Sequence, residues 1–377
     1  MRCSSKHRLG KLHQRSERKC NAMKAIAAHP PEKSSVRLID APVPRPGSEE
    51  ALLSIHSLGI DGTDQDIDQG VYGSPPPGDD HLVIGHEAVG HVEEVGANVT
   101  SVSVGDLVVP TVRRPCPQDC ENCRKGEMDL CSTGDYREHG IEKLHGFAAE
   151  YATSDARYLV KIPKDIEDVA VLLEPLSVAV NAVNEVYRIQ QRMEWTPSKA
   201  LVMGSGPLGL LTSMVLRLRG LEVHATATRE QDSLKAEIVR QMGGRYINVR
   251  ETPLSSMDER YDIVMEATGS VQAAMDALPQ VERNGVICIL GLYPEKEVCE
   301  GFGKFLTRMV LENILMFGSV SSNRDDFEQG IEDIKAIQER FNGLLSRLLT
   351  TQVQPEDFRR AFEADHEDIK TVIRFSP

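Results

Sequence analysis

The sequence predicts an α/β protein of two domains, one β-rich and one built on a doubly wound parallel sheet. Three observations carry this. The chain has 377 residues, which at about 100–200 residues per domain makes two. Residues 36–60 alternate strand-like stretches with a turn cluster from Pro42 to Gly47, and residues 101–110 read as strand-turn-strand around Gly105-Asp106. Further on, the buried strand Ala200-Leu201-Val202-Met203 runs into Gly204-Ser205-Gly206-Pro207-Leu208-Gly209 and then an apolar helix from Leu210 to Leu218. Strand, Gly-x-Gly-x-x-Gly, helix is the context in which that motif marks a dinucleotide site.

Composition narrows the function classes. Hydrophobic residues make up 40% of the chain, so it is globular. No run of about 18 apolar residues occurs, so no membrane-spanning helix is expected. A net charge of −14 argues against nucleic acid as a partner. Eight cysteines stand at Cys3, Cys20, Cys116, Cys120, Cys123, Cys131, Cys288 and Cys299. Four bunched cysteines in a long acidic chain read as a metal site in a reducing compartment, here the cytoplasm.

Residues 1–22 hold seven Lys/Arg against one acid and read as a disordered extension, with Met23 opening the first strand. Leu58 to Asp64 is a strand running into Asp61-Gly62-Thr63, and on an extended strand Asp61 and Thr63 point to one side. The apolar strand Leu82-Val83-Ile84 ends in Gly85 and then offers His86 beside Glu87, an imidazole and a carboxylate suited to zinc. Cys116, Cys120, Cys123 and Cys131 lie in a short polar loop. Four thiolates make a closed tetrahedral zinc site, which is structural because it keeps no open position. Glu174 in Leu173-Glu174-Pro175 sits in an apolar stretch, where an unpaired carboxylate is costly and a metal removes the cost.

In the glycine turn the first glycine makes the turn, the second lets the backbone approach a pyrophosphate, and the third permits helix–strand packing. The next strand, Leu221 to Ala227, ends in Thr228-Arg229 rather than the acid that holds a ribose hydroxyl. A guanidinium pairs with phosphate oxygens, which favours NADP. NAD stays open, because Glu230 supplies an acid one residue on. Tyr261 to Gly269 and Gly285 to Leu292 are further strands of this sheet, and Thr371 to Phe375 is a last strand.

The spacing Gly85-His86-Glu87-x-x-Gly90-x-x-x-x-x-Gly96 resembles the zinc signature of the medium-chain alcohol and polyol dehydrogenases. With Ile60-Asp61-Gly62-Thr63-Asp64, Val109 to Arg114, Leu173-Glu174-Pro175 and Gly318-Ser319-Val320, the resemblance is to the archaeal-type glucose 1-dehydrogenase branch and covers residues 23–377. It implies a GroES-like catalytic domain over 23–180, a Rossmann domain over 181–317 and a return to the catalytic domain over 318–377. It implies a catalytic zinc held by Asp61, His86, Glu87 and Glu174. Asp61 stands where most relatives have cysteine. Thr63, Glu138, Glu174 and Ser321 are implied to meet the sugar, with Thr63 relaying a proton, and Ser321 replaces the branch's usual asparagine. Leu290, Gly291, Leu292, Ser319, Val320 and Ser321 are implied to line the nicotinamide. The reaction implied is hydride transfer from C1 of an aldose, D-glucose first, to NADP, in a homo-oligomer of two or four chains. Rival readings are another polyol or aldose as substrate, and a non-catalytic cofactor-binding protein.

Overall fold

The computed structural model describes residues 22–293, 302–363 and 367–375. Of the basic stretch 1–22, only Ala22 falls among them, as the first residue of the strand Ala22–Ala28.

Six parallel strands form one sheet in the order Arg245–Asn248, Glu222–Ala227, Lys199–Met203, Tyr261–Glu266, Val281–Ile289, Leu315–Gly318. The chain starts in the middle, winds out to one edge, then returns and winds to the other. This is the doubly wound order, and its ligand crevice lies where the winding reverses, at the carboxyl end of Lys199–Met203. Ala200 to Met203 are all buried, as expected of a strand covered on both faces.

The β-rich half has its main sheet in the order Leu159–Lys161, Leu107–Pro110, Glu87–Val95, Glu50–Ile60, Lys370–Arg374, Leu349–Val353. Tyr151–Asp155 also pairs with Glu50–Ile60. Lys370–Arg374 comes from the far end of the chain and runs antiparallel to Glu50–Ile60, with Thr371 opposite Ile60. Two-residue strand Arg113–Arg114 pairs with Arg137–His139 in a small separate sheet. Residues 101–106 form turns, so the expected strand-turn-strand reduces to the single strand Leu107–Pro110.

The helix Leu173–Gln190 joins the halves, and its buried face includes Leu173, Leu176, Ala179, Val180 and Val183. A domain boundary at 180–181 would fall inside this continuous helix. The helix Arg324–Phe341 packs on Leu173–Gln190 and on Pro207–Leu218 through Phe327, Ile331, Ile334 and Ile337. Its Asp333 pairs with Arg219 at 3.0 Å.

Candidate active site

A cavity of about 1000 Å³ lies between the two halves. At its floor stand Asp61, His86 and Glu174. His86 follows Gly85, whose φ of +86° turns the chain between Leu82–Val83 and Glu87–Val95. A side chain at Gly85 would strike Leu58 at 2.7 Å, so glycine is needed both for the turn and for the space.

Asp61 is not on a strand. The strand ends at Ile60, and Asp61 caps the helix Gly62–Asp68. Its Oδ1 accepts from the N–H of Thr63 (2.9 Å) and of Asp64 (3.2 Å). Thr63 therefore meets Asp61 through a helical first turn, not through strand alternation. Thr63 Oγ1 donates to Asp61 Oδ2 at 3.2 Å, and the same Oδ2 lies 3.6 Å from His86 Nε2. One carboxylate oxygen caps the helix and the other faces the cavity floor.

The floor carries too many carboxylates for one imidazole. Burial raises the Asp61 carboxyl, but His86 and Lys370 outweigh it and hold it well below its usual range. Burial also pushes Glu174 up to about 8, against the pull of His86 and with Glu87 and Asp61 adding to the rise. Burial, then Asp61, pushes Asp64 up to about 7. Burial lowers His86, but Asp61, Glu174 and Asp64 together hold it well above its usual value. The arrangement wants a cation. Donor atoms of His86, Glu87 and Glu174 lie within 4.8 Å of one another, as do those of Asp61, Asp64 and His86. His86 Nδ1 is buried without a hydrogen-bond partner. Imidazole and carboxylate oxygens suit a zinc ion that keeps an open position, so the residues fit the metal.

Glu87 differs from the other three. It is ion-paired with Lys370, and both are almost wholly buried. Gly59 lies opposite Glu87 in the ladder, and a Cβ there would fall 2.0 Å from Glu87 Oε2. The pair thus lies beside His86 and Glu174, with Lys370 occupying the Glu87 carboxylate expected to hold the metal.

Elsewhere in the wall, Glu138 lines the cavity and is buried against Arg113, whose Nε donates to its Oε1 at 2.9 Å. Arg113 in turn lies 3.7 Å from the Tyr136 ring centroid. Ser321 lines the cavity with φ +61°, a conformation that asparagine adopts more readily than serine. Its carbonyl accepts from Asn181 Nδ2 at 3.0 Å.

The nucleotide turn follows glycine by glycine. Gly204 has φ +100°. A Cβ at Gly206, the N-cap of Pro207–Leu218, would meet nothing within 4 Å, which leaves the helix N-terminus open to a phosphate. At Gly209 a Cβ would fall 2.1 Å from the Gly204 carbonyl. Ser205 is buried, while Pro207 and Leu208 border the cavity. So do Leu290, Gly291, Leu292, Ser319, Val320 and Ser321. Leu290 N–H is held by the Glu266 carbonyl at 2.8 Å. Of the 228–230 stretch, Arg229 borders the cavity, while Thr228 and Glu230 are exposed and do not. The residues fit a dinucleotide with an added phosphate.

The sulfurs of Cys116, Cys120, Cys123 and Cys131 converge within 4.8 Å, with Cys120 and Cys131 3.9 Å apart. Tetrahedral zinc with Zn–S near 2.3 Å demands sulfurs about 3.8 Å apart. Backbone N–H of Cys120 and of Cys116 approach Cys116 Sγ and Cys123 Sγ at 3.4 and 3.5 Å, so the loop is shaped around thiolates. The three-residue gap between Cys116 and Cys120 turns at Asp119, at φ +48°.

Sequence reasoning assigned no role to Asp64, Arg113, Lys235 or Lys370. Asp64 had a signal, since Asp-x-x-Asp is capping-box spacing and both bonds are present. Lys235 borders the cavity with Arg229. Lys370 had none, being placed by the last strand's register.

Comparison with known proteins gives the chain's family. The "Glucose dehydrogenase C-terminus" model matches residues 167–375, and the "Alcohol dehydrogenase GroES-like domain" model matches 47–164. A glucose 1-dehydrogenase of Methanocella arvoryzae is 43% identical over 93% of this chain and 99% of its own length. One from Caldivirga maquilingensis is 45% identical over 94% and 99%. A solved structure, Haloferax mediterranei glucose dehydrogenase in complex with NADP, Zn and gluconolactone, superposes with a TM-score of 0.87. It is 35% identical and covers 94% of this chain and 100% of its own.

Proposed function

Because the chain belongs to the zinc-dependent medium-chain dehydrogenase family, in its glucose dehydrogenase branch, we propose that it oxidises the C1 hydroxyl of an aldose, D-glucose first, to the lactone with NADP. One observation carries the reading. A single cavity is lined both by Asp61, His86, Glu174 and Thr63 and by Pro207, Leu208 and Arg229 of the dinucleotide-binding half.

Asp61, His86 and Glu174 hold the catalytic zinc. When bound, zinc supplies Lewis acidity that lowers the pKa of an alcohol, and NADP supplies the hydride acceptor. The chain does the rest. Thr63 Oγ1 donates its hydrogen bond to Asp61 Oδ2, which leaves its lone pairs to accept a hydrogen bond from a sugar hydroxyl. Glu138, fixed by Arg113, takes a further sugar hydroxyl. Val112, Ile141, Pro175 and Val178 form an apolar wall that limits water. Gly206 and the Pro207–Leu218 helix seat the pyrophosphate, and Arg229 takes the 2′-phosphate. Cys116, Cys120, Cys123 and Cys131 hold the structural zinc.

The assembly is a homo-oligomer of two or four chains. Leu315–Gly318 is an open sheet edge, and the neighbouring helix Phe302–Glu312 exposes Leu306, Val310 and Leu311. None of the five cysteines among the described residues forms a disulfide, which suits the cytoplasm. No helix among the described residues is long and apolar enough to cross a membrane.

The test is an aldose panel assayed with NADP and NAD, before and after stepwise removal of metal. Glucose should lead, with NADP ahead of NAD, and activity should leave with the first metal lost. Turnover that survives removal of all metal sinks the proposal.

A further inference from the structure

The small ladder that carries Glu138 has a cavity on each face. Arg113 stands opposite Glu138, and Arg114 opposite Arg137. Alternate residues of a strand point to opposite faces. Arg113 and Glu138 border the active-site cavity, and Arg114 and Arg137 border a second one of about 220 Å³.

This second cavity has a cation excess in a chain of net charge −14. Arg114 is only 5% exposed. Its Nη1 donates to the Thr111 carbonyl (2.9 Å), Thr111 Oγ1 (3.3 Å) and the Arg113 carbonyl (3.2 Å), and its Nη2 to Ser154 Oγ (3.1 Å). All of these acceptors are neutral. Arg137 Nε is buried with no hydrogen-bond partner. Neither guanidinium has a carboxylate within ion-pair distance among the described residues. The two carboxylates that border the cavity are already engaged. Asp155 holds Arg157 at 2.7 Å and accepts its N–H at 2.9 Å. Glu50 accepts from the Gly47 N–H at 2.9 Å.

Two guanidinium groups with no carboxylate in ion-pair distance border one recess, and with Arg157 they outnumber its two carboxylates, which favours an anion. Arg137 keeps its unpartnered Nε for an anion's oxygens, while Arg114, whose Nη1 and Nη2 already donate to Thr111, Arg113 and Ser154, adds chiefly its charge, and a tetrahedral anion presents oxygens toward both. A volume near seven times a water's share of liquid, about 30 Å³, leaves room for a small organic remainder. We propose that the pocket between Arg114 and Arg137 binds a phosphate group, as free phosphate or as the phosphoryl end of a small phosphate ester.

The test titrates inorganic phosphate, and separately glycerol 3-phosphate, into the zinc-loaded full chain saturated with NADP, followed by calorimetry. Saturation fills the cofactor's own phosphate sites. One anion should bind per chain. Arg137→Met should weaken it about tenfold or more, the loss of one charge-assisted hydrogen bond. Arg229→Ala should leave it unchanged. Tighter binding of the ester names a phosphorylated metabolite as the ligand, and equal or weaker binding names the free ion. Arg137→Lys, with the charge kept and the fork removed, should fall between and serves where Arg137→Met fails to fold. No phosphate binding by the parent, or binding that ignores Arg137 and follows Arg229, overturns the proposal. So does a change of oligomeric state in the Arg137 variants without phosphate binding by the parent, because a second copy then fills the pocket.

Discussion

Lys370→Met tests how the metal site is held by its neighbours. The Lys370 ammonium is paired with Glu87, and the two side chains are 1% and 2% exposed. Burial and the charge of Asp61 push Glu87 up, and Lys370 is the cation that opposes them most directly beside His86. Removing it leaves a buried carboxylate close to Asp61 and Glu174. Breaking a buried pair from one side costs about 3–5 kcal/mol. At about 2 °C per kcal/mol for a large chain, the melting temperature should fall by roughly 6–10 °C. The assay is a thermal melt at neutral pH with protein, zinc and salt held fixed, since ligands shift apparent stability. The double variant Lys370→Met with Glu87→Gln should recover most of the loss, because the stranded charge is gone. A single variant that melts with the parent, or a double variant as unstable as the single, refutes the reasoning.

Arg229→Ala should cut kcat/KM with NADP by the worth of a phosphate ion pair, about 1.5–3 kcal/mol, and spare NAD; equal effects on both cofactors would remove the assigned role. Cys120→Ser should lower stability and zinc content by one site while folded protein keeps its catalytic metal; loss of the catalytic zinc alone, seen by metal analysis, would reverse the two site assignments. Burial, then Arg114, holds His139 down to about 3. The unfolded chain takes up this proton near pH 6.5, so the contribution is complete above about 6.5 and is lost as pH falls toward 3. His139→Gln should flatten that acid limb in unfolding melts, and superimposable pH curves would contradict it. Gly59→Ala should destabilise the protein as well, because its Cβ would lie 2.8 Å from Lys370 Cε and crowd the buried pair; an unchanged melt would show that the pair can move aside.

Features confined to a short stretch of chain were legible in the sequence. The nucleotide turn was, because each glycine answers a local demand: a positive φ at Gly204, open space at Gly206, contact with the preceding turn at Gly209. The four-cysteine lobe was, because its sulfurs come from 16 consecutive residues and one loop brings them together. The doubly wound sheet was, since the apolar strand Ala200-Leu201-Val202-Met203 runs through the glycine turn straight into an apolar helix. Asp61 and Thr63 were recognised as neighbours for the wrong local reason, because strand alternation and a helix cap both place residues i and i+2 together, and Asp-Gly-Thr reads as either. The partners that hold the site were decided by tertiary structure alone. Lys370 reaches Glu87 because Thr371 lies opposite Ile60, and that register joins the two ends of the chain. Arg113 fixes Glu138, and Arg114 faces the second pocket, only because residues 113–114 pair with 137–138. Such pairings are set by which strands meet and in what register. That is a property of the packed core, and no local pattern of residue types encodes it.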